Sequence, residues 1–510
     1  MPSRIELLAL DARYDLIIIG GGITGAGIVR EAVRSGARVL LVDARDFAAG
    51  TSSWSSKLVH GGLRYLKNGQ WRLTLESVRE RQRLMSEAPG LVYAQAFIMP
   101  IYSNRKPGRW LMQIGLRVYD WMAGVRRSRW LPKDSVLEVE PDLASEHLSG
   151  AMQFEDANTD DARLVLRLIN EACRAGATVR NYTEATLRVN DGRCVGVSLR
   201  DVISGESRIV DAGVVINATG VWAADVPGAP SGAPRLRPLR GSHLLIAQER
   251  LPLRNAISWL HPKDNRPIFA HPWEGAVVYG TTDLDHVSAL DKPRISSDEV
   301  AYLMDALRQQ FPRLDLSVRD VLSSYAGIRP VVDSGKANPS AESRESALWC
   351  SPGLVNVTGG KLTTFRTTAR EALVEAAKEV PMLQPDEDAA VFTAMGSSSV
   401  PQRLVGRFGG LIAQEIVTQS SADERECIAG TPYSWAELRW STRHEWVVHL
   451  QDLMMRRTRL GLVAANGAAG QLPRILKICR EELGWDEVRC ARERSAYLEY
   501  WQAQHAPPSP

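Results

Sequence analysis

The sequence has few of the features that mark a secreted, metal-binding or membrane-spanning protein. Its six cysteines show no CxxC spacing and no clustered histidines, which argues against an iron–sulfur cluster, a metal site or a redox dithiol. No stretch approaches the ~18 consecutive apolar residues of a membrane-spanning helix. Residues 1–13 contain Glu and Asp and lack a long apolar core, so we expect no signal peptide. These absences together favour a protein with reduced thiols in the cytoplasm.

The net charge is also small for a chain of this length. A total of 62 Lys and Arg against 59 Asp and Glu leaves a formal charge of +3, which does not by itself indicate a nucleic-acid partner. Zinc-finger and RNP-type motifs are absent, so no nucleic-acid binding is expected. With 44% hydrophobic residues in a chain of 510, the composition is that of a globular protein with two or three domains.

What the sequence does contain is a dinucleotide-binding pattern close to its start. An apolar run at residues 15–19 leads into a glycine-rich turn and a helical stretch, and a second apolar run at residues 38–42 ends on an acidic residue. In such a βαβ unit the glycines allow a tight turn, close approach of a pyrophosphate and helix packing, while the acid accepts hydrogen bonds from a ribose. The residues predicted to do so are Gly20, Gly22, Gly25 and Asp43.

The predicted nucleotide is FAD rather than NAD. A run of small polar residues follows the first unit, and its hydroxyls and backbone N–H groups suit the diphosphate and ribityl chain of a flavin. Downstream, one buried-type strand ends in Ala-Thr-Gly, and another at residues 355–358 runs into two glycines and a helix over 365–380. The predicted cofactor contacts in these segments are Thr51, Ser52, Ser53, Ser55, Ser56, Lys57, His60, Gly61, Gly62, Ala218, Thr219, Gly220, Gly360, Lys361, Leu362 and Thr363.

The order of these segments predicts an α/β fold, a flavoprotein with two dinucleotide-binding domains. Residues 14–395 are expected to form a Rossmann-type FAD domain interleaved with a β-rich substrate domain. The insertions that build the substrate domain are placed at roughly 90–200 and 235–345, and residues 193–200 alternate like one of its half-exposed strands.

A change in character near residue 400 predicts a separate C-terminal helical domain. A Gly- and Ser-rich linker at 396–401 precedes residues 402–505, where apolar residues recur at helical spacing. Helices are expected, for example, over 445–456 and 472–483.

One basic and tryptophan-rich segment, residues 103–133, is typical of a membrane-surface helix. It holds eight Lys or Arg against one Asp, with three Trp and one Tyr among them. An anionic lipid surface would accept the rings at the interface and the guanidinium groups at its phosphates. The alternatives are an internal helix pair with solvated basic residues and, more weakly, nucleic acid. The predicted apolar face consists of Trp110, Leu111, Ile114, Leu116, Val118 and Trp121, flanked by Arg105, Lys106, Arg109, Arg126, Arg127 and Arg129.

Taken together, the motifs resemble the FAD-dependent glycerol-3-phosphate dehydrogenases, aerobic quinone-linked enzymes of the inner face of bacterial membranes. The matching segments are, in order, GGGITGAGI, SSWSSKLVHGGLRYL, DDARLVL, NATG, GSHLLI, GTTD, YAGIRP and TGGKLTTFR. The resemblance runs from about residue 14 to 380 and continues less distinctly through the C-terminus. HGGLRYL with GGKLT is its most specific part, whereas relatives that pass electrons to oxygen share the same motifs.

The resemblance implies oxidation of sn-glycerol 3-phosphate to dihydroxyacetone phosphate, with hydride transfer to FAD and electron transfer to membrane quinone. It also implies a cytoplasmic protein bound peripherally to the inner face of the membrane. We further expect a homo-oligomer (dimer). No cysteine or histidine lies in an obvious flavin-attachment context, so the FAD is expected to be non-covalent.

Such a reaction needs a base for the hydroxyl proton, a hydride path and cations for the phosphate. His243 is the candidate base, with a structural histidine at a strand start as the alternative. In the family the arginine matching Arg329 contacts flavin and substrate, although it also fits a salt-bridged core arginine. Lys361 would stabilise the anionic reduced flavin. The predicted substrate contacts are Arg64, Tyr65, Thr282 and Arg344.

Three other functions stay open from the sequence alone. An oxygen-using glycerophosphate oxidase would share the motifs but would need no membrane contact. An amine or amino-acid oxidase on the same fold would not need several arginines in its pocket. A catalytically silent FAD-binding module would not need the predicted catalytic side chains.

Overall fold

The computed structural model describes residues 4–507 apart from 64–68, 230, 231, 233, 336–341, 343, 344 and 394–398. The strands are β1 (Arg13–Ile19), β2 (Val39–Val42), β3 (Leu58–Val59), β4 (Val92–Tyr102), β5 (Arg129–Pro132), β6 (Leu148–Thr159), β7 (Thr178–Arg180), β8 (Thr183–Asn190), β9 (Arg193–Asp201), β10 (Ser207–Asn217), β11 (Leu236–Ala247), β12 (Ala256–Leu260), β13 (Pro267–Trp273), β14 (Ala276–Gly280), β15 (Leu284–Asp285), β16 (Val321–Val332), β17 (Ser346–Ser351) and β18 (Leu354–Gly359).

Helices cover the sheets and build the C-terminal part of the chain. They are α1 (Ile23–Ala32), α2 (Trp71–Glu87), α3 (Arg109–Met122), α4 (Lys133–Val139), α5 (Asp161–Arg174), α6 (Ser297–Gln310), α7 (Phe365–Ala376), α8 (Gln402–Phe408), α9 (Gly410–Gln419), α10 (Trp435–His444), α11 (Leu450–Asp452), α12 (Leu460–Val463), α13 (Leu472–Leu483) and α14 (Glu487–Gln504).

The first sheet is the predicted nucleotide-binding sheet. Its strand order is β17-β18-β10-β1-β2-β7, and the strands from β18 to β7 run parallel. Parallel strands are buried on both faces, which explains the unbroken apolar runs of β1 and β2. Helices α1, α5 and α7 contribute to one hydrophobic cluster against this sheet. The carboxyl ends of β1, β2, β10 and β18 therefore share one edge, where nucleotides bind in such folds.

The boundary of the first substrate-domain insertion differs from the prediction. Strands β7, β8 and β9 belong to the nucleotide-binding sheet, because β7 pairs with β2 and β9 pairs antiparallel with β10. The first stretch of the other sheet therefore ends with β6, at Thr159, rather than near residue 200. The half-exposed alternation of residues 193–200 is present, but it marks an antiparallel extension of the first sheet.

The second sheet has the order β15-β11-β14-β13-β12-β4-β6-β3, with β16 also paired to β11. Alternate residues of β11 point to opposite faces. Leu244 and Ile246 join the cluster that contains α6, whereas Leu245 packs with Trp54 and Tyr325 on the other face. His243 shares that second face with Leu245, so the candidate base points toward the polar loop that follows β2.

The fold class is confirmed, and the C-terminal part is helical as predicted. Helix α13 has the predicted bounds of 472–483. The helix expected over 445–456 is wrong in its first half, because α10 ends at His444 and Trp446 has a φ of 51°. The apolar spacing there belongs to a short helix, α11, and a π-helical turn over Leu453–Arg457.

Helix α3 lies on the surface within the basic segment. Trp110, Leu111, Ile114 and Trp121 are between 62% and 76% exposed. Leu116 is fully buried against the second sheet, so it does not share the exposed face as predicted. The part of the chain that the structure describes contains no helix long and apolar enough to cross a membrane.

Buried ion pairs connect the C-terminal helices to the nucleotide-binding domain. Arg163 forms a two-pronged pair with Glu445, at 2.8 and 2.6 Å, and both side chains are fully buried. Arg457 and Asp46 make a second pair across the same boundary, with Nη2 2.9 Å from Oδ1. A buried charge without its partner is strongly unfavourable, so these pairs fix how the two parts are joined.

We expect Arg163→Met to lower the free energy of unfolding by about 3–5 kcal/mol, because it leaves the Glu445 carboxylate buried without its cation. Urea titration followed by tryptophan fluorescence measures the change. The matched control is Arg200→Met, which breaks the exposed Arg200–Glu184 pair at 2.6 Å and should cost ~1 kcal/mol or less. Equal effects of the two variants would contradict the assigned role of the buried pair.

Candidate functional site

The glycine turn between β1 and α1 has the geometry that a dinucleotide requires. Gly20 has a φ of 108°, and a Cβ there would lie 2.5 Å from the carbonyl oxygen of Ala218. A Cβ on Gly25 would lie 1.8 Å from the carbonyl oxygen of Gly20. Both positions therefore exclude larger residues, and the turn brings backbone N–H groups of the α1 N-terminus to the strand edge. A pyrophosphate fits this cradle.

Asp43 lies half-buried at the tip of β2, on the same edge. Its Oδ2 accepts a hydrogen bond from Gly21 N at 2.7 Å, and its Oδ1 accepts one from Arg45 N at 2.8 Å. Burial raises the pKa of Asp43, while these hydrogen bonds and the Arg45 charge oppose the rise. The carboxylate thus supports the glycine turn and stands where a ribose is expected.

The Ala-Thr-Gly segment after β10 is held at this edge by Asn217. Asn217 Oδ1 accepts a hydrogen bond from Thr219 Oγ1 at 2.7 Å. Thr358 on β18 donates from Oγ1 to the carbonyl of Gly220 at 2.7 Å. Ala218 N donates to Ile19 O at 2.8 Å, which extends the parallel ladder to the glycine turn.

In the polar run after β2, some side chains lie beside the glycine turn and others point into the interior of the protein. Ser52 Oγ accepts a hydrogen bond from Ile23 N, 2.9 Å away, at the first turn of α1. Thr51 Oγ1 donates to Ile328 O at 2.5 Å and ties the run to β16. Both residues are half-exposed beside the glycine turn.

Ser53 and Lys57 differ from the prediction, because their side chains are directed into the protein. Ser53 Oγ donates to Ala48 O at 2.7 Å. Lys57 Nζ is fully buried 2.8 Å from Asp161 Oδ2, and burial lowers the pKa of Lys57 to about 8. Ser55 Oγ donates to the same carboxylate at 2.7 Å. These three side chains shape the loop, which leaves its backbone and Ser56 for the site.

The His60–Gly62 turn and the Gly360–Thr363 segment lie against each other. Thr363 Oγ1 donates to His60 O at 3.3 Å, and Gly62 and Gly360 have φ of 77° and 74°. Lys361 Nζ lies 3.3 Å from Ser77 Oγ on α2. Helix α7 begins at Phe365, so Lys361 and Leu362 belong to the turn before it.

His243, the candidate base, lies buried on β11 beside the polar loop. Its Nε2 lies 2.8 Å from Ser56 Oγ, and its ring stacks on Tyr325 with centroids 4.7 Å apart. Nδ1 has no hydrogen-bond partner among the described residues. Burial, followed by the charges of Arg329 and Lys57, lowers the pKa of His243 well below 6.5. The imidazole is therefore neutral at physiological pH.

The Arg329 side chain is held by a carboxylate and passes close to a glycine. Its Nη1 lies 2.8 Å from Asp283 Oδ1, and its Nη2 donates to Thr281 Oγ1 at 3.2 Å. A Cβ on Gly241 would lie 2.2 Å from the guanidinium, so the side chain passes across β11 only because residue 241 is glycine. The side chain remains 20% exposed, which leaves it able to meet a ligand.

Thr282, predicted as a substrate contact, is 3% exposed and serves the scaffold instead. Its Oγ1 donates to Glu299 Oε1 at 2.6 Å and accepts from Ser242 N at 2.9 Å. The other predicted substrate contacts, Arg64, Tyr65 and Arg344, lie outside the described residues.

Two residues of this region were missed by the sequence patterns. Tyr325 stacks on His243 and donates from its hydroxyl to Ser55 O at 2.7 Å. Strand alternation places it on the face of Arg329, four residues away, which is the signal that could have found it. His271 lies 3.1 Å through Nε2 from Ser56 O, and no local pattern marks it. Within the described ranges, no group of three or more His, Cys, Asp or Glu could hold a metal ion.

Comparisons with known proteins identify the family of the chain. The family model described as FAD dependent oxidoreductase matches residues 15–372, and that of the C-terminal domain of alpha-glycerophosphate oxidase matches residues 365–490. The chain is 37% identical over 375 residues to an aerobic glycerol-3-phosphate dehydrogenase of Staphylococcus haemolyticus, covering 72% of this chain and 67% of that protein. A homologue of the same name from Bacillus subtilis is 37% identical over 373 residues, with the same coverage.

The solved structures point the same way. The X-ray structure of glycerol-3-phosphate dehydrogenase from Bacillus halodurans complexed with FAD matches with a TM-score of 0.78 and 27% identity, covering 97% of this chain and 95% of that one. Glycine oxidase from Geobacillus kaustophilus, at a TM-score of 0.53 and 20% identity, shares the fold. The cofactor of this protein is FAD, and the chain belongs to the FAD-dependent oxidoreductases, within the family of the aerobic glycerol-3-phosphate dehydrogenases.

Proposed function

We propose that the protein oxidises sn-glycerol 3-phosphate to dihydroxyacetone phosphate and passes the electrons to a membrane quinone. The observation that carries the proposal is the neutral His243, whose buried Nδ1 has no hydrogen-bond partner among the described residues, near an arginine that is held in place but still partly exposed. A neutral imidazole near a fixed cation suits an anionic alcohol. The relatives named as glycerol-3-phosphate dehydrogenases support the identity of that alcohol.

His243 acts as the base through Nδ1. When Nε2 carries the hydrogen and donates it to Ser56 Oγ, the lone pair on Nδ1 is left to accept the proton of the substrate hydroxyl. The Tyr325 ring fixes the plane of the imidazole, and His271 holds the carbonyl of Ser56. Bound FAD would supply the hydride acceptor for this oxidation.

Arg329 binds the substrate and favours its ionised form. Its pairing with Asp283 orients the guanidinium without removing it from the cleft. Positive charge beside the reacting hydroxyl also keeps His243 neutral, which suits a proton acceptor. Lys361 is proposed to add positive charge near the flavin from the turn that Gly360 begins. Ser52, Asp43 and the glycine turns are proposed to hold the FAD without a covalent bond.

The surface helix α3 favours quinone over oxygen as the acceptor. Its exposed tryptophans and isoleucine form an apolar face whose contact with water is unfavourable. Arg105, Arg109 and Arg126 are exposed around this face. Such a face suits an anionic membrane surface, where a quinone dissolves. We therefore propose that the protein lies on the inner face of the cytoplasmic membrane. The homodimer stays a prediction. An oxygen-using glycerophosphate oxidase is the second candidate, supported by the C-terminal family model.

The first experiment is anaerobic bleaching of the flavin absorbance by glycerol 3-phosphate, followed by reoxidation with a short-chain quinone or with air. We expect fast bleaching and faster reoxidation by quinone than by air. Fast air reoxidation with peroxide release would support the oxidase instead. Bleaching by glycine or sarcosine but not by glycerol 3-phosphate would contradict the proposed substrate.

We expect Arg329→Ala to lower kcat/KM for glycerol 3-phosphate by ~100-fold to 1000-fold, because a preorganised cation is lost from the cleft. FAD content should stay that of the wild type. The matched control is Arg266→Ala, since Arg266 pairs with the same Asp283 at 2.9 Å and is equally exposed. Normal turnover in Arg329→Ala, or an equal loss in Arg266→Ala, would rule out the assigned role.

We expect the triple variant Trp110→Ser, Ile114→Ser, Trp121→Ser to bind anionic vesicles at least ~10-fold more weakly, since each large apolar side chain contributes ~1.5–3 kcal/mol when buried. Co-sedimentation with phosphatidylglycerol vesicles measures binding. Replacing three flanking arginines with Ser should also release the protein from the vesicles, because each basic charge near the lipid surface contributes ~1 kcal/mol to binding. These arginines are Arg126, Arg127 and Arg129.

The control for α3 is the pair Leu411→Ser and Val488→Ser, which removes exposed apolar side chains of the C-terminal helices. These residues are 72% and 78% exposed, like those of α3. Their loss should leave vesicle binding unchanged. Unchanged binding of the α3 variant would remove the membrane assignment of this segment.

A further inference from the structure

The inner face of α3 contacts the predicted cofactor loop through the side chain of Tyr119. The Tyr119 hydroxyl accepts a hydrogen bond from Gly61 N at 2.8 Å and one from Arg81 Nη1 at 3.1 Å. It donates its own hydrogen to Asp156 Oδ1 at 2.6 Å. The side chains of Tyr119, Arg81 and Asp156 are all almost completely buried, at 1%, 1% and 5% exposure.

This cluster uses every hydrogen-bonding capacity of the phenol. Burial, followed by the charge of Asp156, raises the pKa of Tyr119 well above 10, so the hydroxyl keeps its hydrogen and both lone pairs serve as acceptors. Arg81 pairs with Asp156, which compensates the buried carboxylate. Among the described residues Arg81 Nε has no hydrogen-bond partner, so it is the phenol, and not the whole network, whose hydrogen bonds are complete and hold it in place.

The contact is close enough to require glycine in the loop. A Cβ on Gly61 would lie 2.4 Å from the Tyr119 hydroxyl and 2.2 Å from a methyl group of Val78 on α2. One side of the turn therefore packs closely against helices α2 and α3. On its other side, Thr363 donates to the carbonyl of His60.

We propose that Tyr119 is a positioning residue of the active site, which fixes the His60–Gly62 turn in the conformation that binds FAD. It acts through the Gly61 amide and does not itself touch the reacting atoms. The proposal extends the proposed function, but its FAD-binding part depends only on the identity of the cofactor.

The test compares two buried tyrosines that each donate to a buried aspartate at 2.6 Å. Tyr119→Phe removes the bond from Gly61 N to the phenol and leaves that N–H only its longer bond to Asp156 Oδ1 at 3.3 Å, whereas Tyr182→Phe removes the bond from Tyr182 to Asp452 and leaves the turn alone. Hydrogen exchange of the peptide containing Gly61, together with the dissociation constant of FAD, is measured for both. Loss of one buried hydrogen bond corresponds to about a 5-fold to 10-fold change.

We expect Tyr119→Phe to accelerate exchange at Gly61 and to weaken FAD binding by that factor, whereas Tyr182→Phe should change neither, although both should lower the melting temperature. Wild-type exchange and FAD affinity in Tyr119→Phe would overturn the proposal. If Tyr119→Phe does not fold, Gly61→Ala disturbs the same contact from the side of the turn, and unchanged FAD affinity in that variant would also overturn it. Neither measurement requires substrate, so a wild-type protein that failed to oxidise glycerol 3-phosphate would not decide this question.

Discussion

The structure depends on two adjacent buried carboxylates, Asp160 and Asp161, between β6 and α5. Asp160 caps α5 by accepting from Arg163 N at 3.2 Å, and its carboxylate also pairs with Arg459 at 2.9 Å and Arg407 at 3.1 Å. Although burial raises its pKa, the three arginines lower the pKa of Asp160 below its usual range. The C-terminal helices thus bring the cations that the nucleotide-binding domain needs. Without these arginines the Asp160 carboxylate would be buried without a compensating charge.

Asp161 extends the same network into the active site. It pairs with Lys57 and Arg459 and accepts from Ser55 N at 3.0 Å. These bonds hold the polar loop so that the next residue, Ser56, meets the imidazole of His243. The buried Lys57 therefore helps to hold the loop that places Ser56 beside His243, the proposed base. Arg459 of the C-terminal domain pairs with Asp161 and therefore also supports this loop.

Helix α3 combines two environments within a single element. Its outer face carries exposed tryptophans, and its inner face carries Tyr119 against the cofactor loop. The surface proposed to meet the membrane and the turn proposed to meet FAD are therefore separated by one helix diameter, about 10 Å. This proximity would suit the proposed transfer of electrons to a membrane quinone.

The sequence by itself determined the nucleotide-binding edge. Gly20, Gly25 and Asp43 lie where the pattern predicts, because strand, turn and helix are local and the glycines are required by contacts within a few residues or to the adjacent strand. The fold class, FAD and the family also followed from motifs in order. The pattern at 193–200 gave a strand but assigned it to the wrong sheet, since alternation reports a half-buried face and not the partner strand.

Only the tertiary structure decided which polar side chains face the site. Ser53 and Lys57 are residue types that often contact a cofactor. In the structure Ser53 instead donates to Ala48 O, and Lys57 pairs in the interior with Asp161, more than a hundred residues away. Tyr119 and Gly61 meet across 58 residues of sequence, with no shared motif. Hydrogen bonds and ion pairs in the interior form between groups that the fold brings together, so their partners depend on long-range packing that no local pattern encodes.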